Sequence, residues 1–393
     1  MRKRCVAVQR RGRYSQQEIA SAALELRERA GGPTALAFAF VTPDYAPYLE
    51  EFSEMVRVDG HVIELVGATG AGLTAGAEEN EEGGGFALLA LSAQEGTFEV
   101  LAFDQGRLEE STDPSFWRKL CGVKNPSAWI ALSNPFSFDT ERWLAEWNAA
   151  WPDVPCIGGL ASGSSDGENV GVFHNGRLFD ALVVSVSGMR VMCVVSQGCR
   201  PIGEPLTVTR AESNVVYSLG ARPAYEALES AFEGLTEGEK AGAKGNLFAG
   251  LAGTEYVEEF KPGDFLIRNI LGADPNSGAV AIGGFPRVGQ TLQYQLRDRN
   301  AADAEWRSVL RTAAMESGRA PLASLLFACT GRGSRLFGSK GHDAGLLEEI
   351  LGPHASAGFF CNGEIGPLGG RNYIHSYSAT SALFFDEEIE TPG

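Results

Sequence analysis

The sequence predicts an α/β fold, of the mixed α+β kind, divided between two domains. Three observations carry that expectation. A unit of strand, helix, strand, glycine loop and further strand recurs three times. The apolar segment after each glycine loop has the pattern of antiparallel strands, which makes the sheets mixed rather than purely parallel. At 393 residues the chain also exceeds what one hydrophobic core usually serves, and two domains of roughly 150–200 residues are the natural division.

Segment 15–30 (SQQEIASAALELRERA) has Ser15 as a helix cap, Glu18 three residues later, apolar positions at helical spacing, and a stop at Gly31-Gly32. An apolar run, TALAFAFV (34–41), bounded by turn residues, follows as a buried strand. A polar turn at Thr42-Pro43-Asp44, a helix near 45–57 and VIELV (62–66) then lead into GATGAG (67–72). The second copy runs from SAWIALS (127–133) through a helix near 139–150 and VPCI (154–157) into GGLASG (158–163). The third runs from SLLFACT (324–330) through GRG (331–333), a helix near 343–351 and AGFFC (357–361) into NGEIGPLGG (362–370).

The segments after the loops, 86–103, 170–188 and 373–385, are expected to pair as meanders, with Asn175-Gly176 a hairpin turn. Between copies two and three lie a helix around 222–235, a Gly/Lys/Glu-rich loop at 237–245, strands near 246–252, 264–270 and 278–284, and a helix 301–316 capped by Asn300. The expected domains are an N-terminal arm and helix (1–30), a first domain (31–210) and a second (211–393).

Asp and Glu number 50 against 33 Lys and Arg, a formal charge of −17, and such a field disfavours nucleic acid and anionic membrane as partners. The basic opening MRKRCVAVQRRGR lacks the apolar stretch of a secretory signal and is expected to be a frayed, solvated arm. With no CxxC pair among seven cysteines, reduced thiols and a cytoplasmic location are expected. No metal site is expected, since the five histidines show no ligand spacing. The acidic run Glu78, Glu79, Glu81 and Glu82 has the look of a solvated loop. GATGAG lacks the Lys-Ser/Thr of a P-loop and the GxGxxG order of a dinucleotide fold, so no nucleotide cofactor is expected.

Several blocks resemble the FIST family. They are GATGAG and GGLASG, the segment QGCRPIGEPLTVTRAESNVVYSLGARPAYEAL (197–228), FLIRNILGADPNSGAVAIGG (265–284), VGQTLQYQLRDRNAADAEW (288–306), FACTGRGSRLFG (327–338) and AGFFCNGEIGPLGGRNYIHSYSATSALFF (357–385). The resemblance spans about residues 30–385 and implies a sensory module with N- and C-terminal FIST halves that binds small ligands such as amino acids. Some members carry signalling modules or an F-box; no such segment is recognisable in these residues. A small-molecule ligand and a signalling protein partner are therefore the expected partners, and sensing rather than catalysis the expected role.

The candidate ligand site joins GRG (331–333) to NGEIG (362–366), loops that leave two strands of one repeat at the edge where α/β sheets gather ligands. Arg332 suits a carboxylate and Glu364 an ammonium, with backbone of Gly331, Gly333, Asn362 and Gly363 completing the contact and Cys329 and Cys361 flanking it. The plain alternative is that Arg332 and Glu364 pair with each other or cap nearby backbone. Two other functions stand beside the sensor: a cysteine-dependent enzyme acting on a small acyl or carbonyl substrate, and a protein-interaction scaffold.

Overall fold

A computed structural model describes residues 5–92, 96–261 and 263–387. The chain separates into two compact units, and neither is contiguous: one comprises 1–195, 307–374 and 378–393, the other 196–306 with 375–377.

The larger unit contains all three repeats. In each, the first strand lies parallel to the second: Thr34–Val41 to Val62–Thr69, Ala128–Ser133 to Cys156–Leu160, and Ala323–Cys329 to Ala355–Cys361. The intervening helices are Leu49–Gly60, Thr140–Ala150 and His342–Leu351. Each pair has one glycine at the same register position. A Cβ on Gly67 would fall 1.9 Å from the Ala39 carbonyl oxygen, on Gly158 1.8 Å from that of Ala131, and on Gly358 1.8 Å from that of Leu326. No other residue fits there, so the glycines expected in loops begin inside the strands, where backbones approach too closely for a side chain.

The expected meanders do not form as units. After each glycine loop the chain makes a short hairpin or strand pair that joins the sheet of a different repeat. Leu73–Ala75 and Glu78–Asn80 extend the third repeat's sheet, Val172–His174 and Arg177–Phe179 the first's, and Glu364–Leu368 and Arg371–His375 the second's. The chain then returns: Gly85–Ser92, Ala181–Ser187 and Ala379–Asp386 pair antiparallel with the first strand of their own repeats. Asn175 and Gly176 take the left-handed φ values, 50° and 86°, that a two-residue hairpin turn demands. The result is three mixed six-stranded sheets, each completed by another repeat.

Their inner faces share one core that includes Phe38, Phe40, Ile130, Leu132, Phe327 and Phe359. Outside, helices Gln16–Ala30 and Leu49–Gly60 cover the first sheet, and a cluster with Trp117, Trp129, Trp143, Trp147 and Trp151 covers the second. This exchange explains why residues 307–374 and 378–387 belong to one compact unit with 5–195. An interlocked strand costs too much unpaired backbone to leave its sheet.

The N-terminal arm is also ordered differently from expectation. Val6–Arg11 is a strand paired along its whole length with Gly85–Ser92, because Val6 and Val8 alternate into the core beneath helix Gln16–Ala30. Residues 1–4 lie outside the described ones. Ser15 caps that helix as expected, accepting from the Glu18 N–H at 3.4 Å.

The smaller unit is an antiparallel sheet that closes on itself. Thr291–Arg297 pairs with Leu206–Glu212 and Cys199–Pro201 on one side and with Leu247–Ala252 on the other; Val215–Leu219, Ala279–Ile282 and Phe265–Asp274 complete the circuit. Helix Ala224–Glu233 packs Ala224, Ala227 and Ala231 into its core. The 237–245 segment is not all loop: Thr236 and Glu239 form a capping box that starts a helix at Glu237–Gly242. Asp298, not Asn300, caps the helix Arg299–Ser317, its Oδ1 accepting from the Ala301 N–H at 2.8 Å.

A methyl group at Gly158 has no room without displacing the neighbouring strand. Gly158→Ala is expected to lower stability by about 3 kcal/mol in chemical denaturation. Gly32→Ala, with nothing within 4 Å of the added atom, should change it by less than about 0.5 kcal/mol. Equal effects would mean that the close approach is not a packing constraint.

Candidate functional site

The three glycine loops cross at one place in the larger unit. The Ser162 N–H donates to Thr69 O at 3.0 Å, tying the second loop to the first, and the Asn362 N–H donates to Leu160 O at 3.0 Å, tying the third to the second. The first and third are tied by the Phe360 N–H, which donates to Gly72 O at 2.9 Å, and the Ser162 side chain adds a further link, its Oγ accepting from the Ala71 N–H at 2.9 Å and donating to Phe360 O. Ala71, Ser162 and Asn362 each stand four residues past the tight glycine of their repeat, so the crossing repeats the symmetry of the sequence.

A cavity of about 470 Å³ opens over this crossing, a size that suits a small ligand. It is lined by Ala71, Gly72, Ser162 and Asn362 of the crossing itself, by Gly163, Ser164 and Ser165, and by Thr330 and Arg335. Phe136 and Phe360 supply the apolar faces, and Glu81 the one carboxylate of the lining. Arg335 is exposed, its Nη1 only 3.5 Å from Thr330 O, and its guanidinium can turn to an incoming anion.

Of the residues expected at the site, Asn362 lines this cavity, whereas Arg332 and Glu364 do not reach it. Both are wholly buried, at 0% exposure. Arg332 turns inward after the strand Ala323–Cys329, its N–H bonded to Cys329 O at 2.8 Å. Its fork donates to Asp343, Nε to Oδ2 at 2.7 Å and Nη2 to Oδ1 at 2.8 Å. The charge thus finds its partner at the start of the next helix, and no zwitterion can be clamped there. Glu364 Oε2 accepts from Ser378, N–H at 3.2 Å and Oγ at 2.6 Å, while Oε1 has no hydrogen-bond partner among the described residues.

Gly331, Gly333 and Gly363 are not among the residues that line the cavity. Gly333 instead precedes the short helix Ser334–Phe337, and Gly363 O accepts from the Leu160 N–H at 2.9 Å. Cys329 and Cys361 are buried thiols at matching ends of the parallel strands. Arg335 escaped the sequence analysis although it lies three residues beyond Arg332; the turn SRLF carries it outward while Arg332 goes in.

Burial governs the titration of this region. It would raise the Asp343 carboxyl, but the Arg332 guanidinium beside it prevails and holds Asp343 down at about 2. Glu364 goes the other way. Burial pushes it up to about 8, against the opposing pull of Ser378 and Arg332, which favours the protonated acid over the range where a free carboxyl is ionised. Burial, with Glu364 and Cys329 adding, raises the Cys361 thiol well above its usual range.

The acidic run is not a solvated loop. Glu79 accepts from the N–H groups of Gly341, Asp343 and Ala344 at 2.8–3.0 Å, capping helix His342–Leu351 from another repeat. Glu81 binds Ser334 through its N–H at 3.0 Å and its Oγ at 2.6 Å. Glu82 meets Lys340 at 2.9 Å and Glu78 meets Arg11 at 2.8 Å. The exchanged hairpin places all four carboxylates where helix starts and cations await them. Among the described residues no cluster of three or more His, Cys, Asp or Glu is arranged to hold a metal ion, and no helix is long and apolar enough to cross a membrane.

Two family models match the chain: the FIST N domain over residues 35–222 and the FIST C domain over residues 224–367. An uncharacterized protein of Mycobacterium tuberculosis is 35% identical over 371 residues, covering 93% of this chain and 96% of that protein. One of Mycobacterium bovis is 41% identical over 261 residues, 66% of this chain and 67% of that protein. Among solved structures, cyanuric acid hydrolase from A. caulinodans aligns over 96% of this chain and 99% of its own, with 9% identity and a TM-score of 0.34.

The raised Glu364 carboxyl has a pH signature of definite sign. The unfolded chain loses this proton near 4.5 and the folded chain near 8, so between those values the folded state binds the extra proton. Its contribution to stability is complete below 4.5 and is lost as pH rises through 8. Denaturation midpoints should therefore fall between about pH 5 and about pH 9 in the wild type. They should fall less in Glu364→Gln, which mimics the protonated acid. Identical slopes for the two proteins would show that Glu364 is ionised throughout.

Proposed function

The chain belongs to the FIST family, whose domains are associated with sensory signal transduction, and from that premise we propose that it senses a small carboxylate of the amino-acid class, bound in the cavity over the loop crossing. The observation that carries this reading is the convergence of all three repeats on one cavity that holds a solvent-reaching guanidinium. Arg335 takes the carboxylate through its planar fork. Asn362, Ser164, Ser165 and Thr330 offer neutral donors and acceptors, the Phe136 and Phe360 rings take an apolar body, and Glu81 faces an ammonium.

A binding role fits the chemistry better than a catalytic one. A cysteine nucleophile must be accessible and easily ionised, whereas Cys361 is at 0% exposure with its thiol pushed up. A ligand that ties the loops together bears on three sheets at once, because each loop leads into a hairpin belonging to another repeat's sheet. That coupling is the means by which occupancy would be passed to a signalling partner.

A ligand that binds only the folded state stabilises it by about 2.7 kcal/mol when present at a hundred times its dissociation constant. A thermal-melting screen with amino acids and small carboxylates on the full chain should give a positive shift. Arg335→Ala, at an exposed position, should abolish the shift and leave the unliganded melting point unchanged. An amino-acid panel without a hit, or a hit indifferent to Arg335→Ala, would reject the reading.

A further inference from the structure

The smaller unit contains a cavity of its own, about 230 Å³, inside the closed sheet beneath helix Ala224–Glu233. Segment 197–228, one of the blocks that stand out in the sequence, supplies most of its lining. Ile202, Leu206, Leu219 and Leu292 form an apolar chamber, of which Ile202, Leu219 and Leu292 are buried.

Two charged groups break that apolar lining. Arg222, half-buried, emerges from the turn between strand Val215–Leu219 and the helix. Burial raises the Tyr294 phenol above its usual range, with the Arg222 guanidinium pulling the other way, and that guanidinium makes no hydrogen bond or ion pair with another described residue. The Tyr294 Oη donates to Ala224 O at 2.8 Å. Glu204, exposed, stands at the rim.

We propose that this cavity is a second ligand site, one that takes a small, branched, apolar monocarboxylate. A guanidinium held beside an apolar chamber satisfies a carboxylate through paired N–H donors, while the hydrocarbon body leaves water for the leucine lining. The volume admits a branched chain of a few carbons and excludes nucleotides and larger cofactors. The walls are fixed before binding. Gln293 Nε2 donates to Gly203 O at 2.8 Å, and a Cβ at Gly203 would lie 2.9 Å from the Ala231 Cβ, so strand and helix are already in contact at one end. The shared chemistry is the branched carboxylate; Glu204 decides whether the ligand also carries an ammonium.

Ligand-observed saturation-transfer NMR on the full chain, with isovalerate and L-leucine as probes, tests the site. Saturable binding of at least one is expected, with L-leucine the stronger if Glu204 takes part and isovalerate the stronger if it does not. Arg222→Gln should weaken the binding about tenfold or more, and Ser230→Trp, which fills the mouth from an exposed helix position, should block it. Binding should persist in Arg335→Gln, which removes the contribution of the site over the loop crossing and so separates the two. Should Arg222→Gln fail to fold by circular dichroism, Ser230→Trp decides. Absence of saturable binding, binding that survives the interpretable variants, or loss with Arg335→Gln instead would overturn the proposal.

Discussion

Each sheet of the larger unit is finished by a strand pair from another repeat, and the loops that carry those strands must pass one another at a single crossing. Ser162 reinforces that crossing. All three junctions there carry N–H to carbonyl bonds between backbones, and the Ser162 hydroxyl adds a link among them, accepting from Ala71 and donating to Phe360. A hydroxyl can do both at once, which an alanine at the same place in the first repeat cannot. The tight glycines four residues earlier serve the same end by letting each second strand run closely against its neighbour before it turns.

From that crossing follows the chemistry around it. The first repeat's hairpin brings Glu79 and Glu81 to the third repeat, where they satisfy the N–H groups of two helix starts that would otherwise be unbonded. One of those helices presents Asp343 to Arg332; the other carries Arg335 to the cavity. Removing one member of a buried pair such as Arg332 and Asp343 leaves an uncompensated charge, worth about 3–5 kcal/mol. The pair is therefore a structural support for the turn that holds Arg335, and the polar cluster behind the cavity works as scaffold while the cavity's own polar groups remain open to solvent.

Much of this was legible in the sequence, and the parts that were not share a cause. The helix 15–30, the strand 34–41, the turn at Asn175-Gly176 and the threefold recurrence all rest on local spacing, and local spacing is what sequence exposes. The compact units do not follow the division expected at about 210, because hairpin exchange leaves no trace in periodicity. Arg332 and Arg335 illustrate the same limit at the scale of one turn. Both belong to a polar stretch after a buried strand, and only the inward course of the chain at Cys329, set by a helix whose Asp343 lies eleven positions on, separates the structural arginine from the accessible one. The acidic run was misjudged for a like reason, since the partners of Glu79, Glu81 and Glu82 stand more than 250 residues away.

The central claim is that ligand occupancy is felt by all three repeats together through the crossing. Amide hydrogen exchange, followed by mass spectrometry on the full chain with and without a ligand found by melting, addresses it directly. The account predicts simultaneous slowing at 69–73, 160–165, 330–336 and 360–364 when ligand is present. Slowing confined to a single one of these loops, or none at any of them while the ligand demonstrably binds, would contradict it.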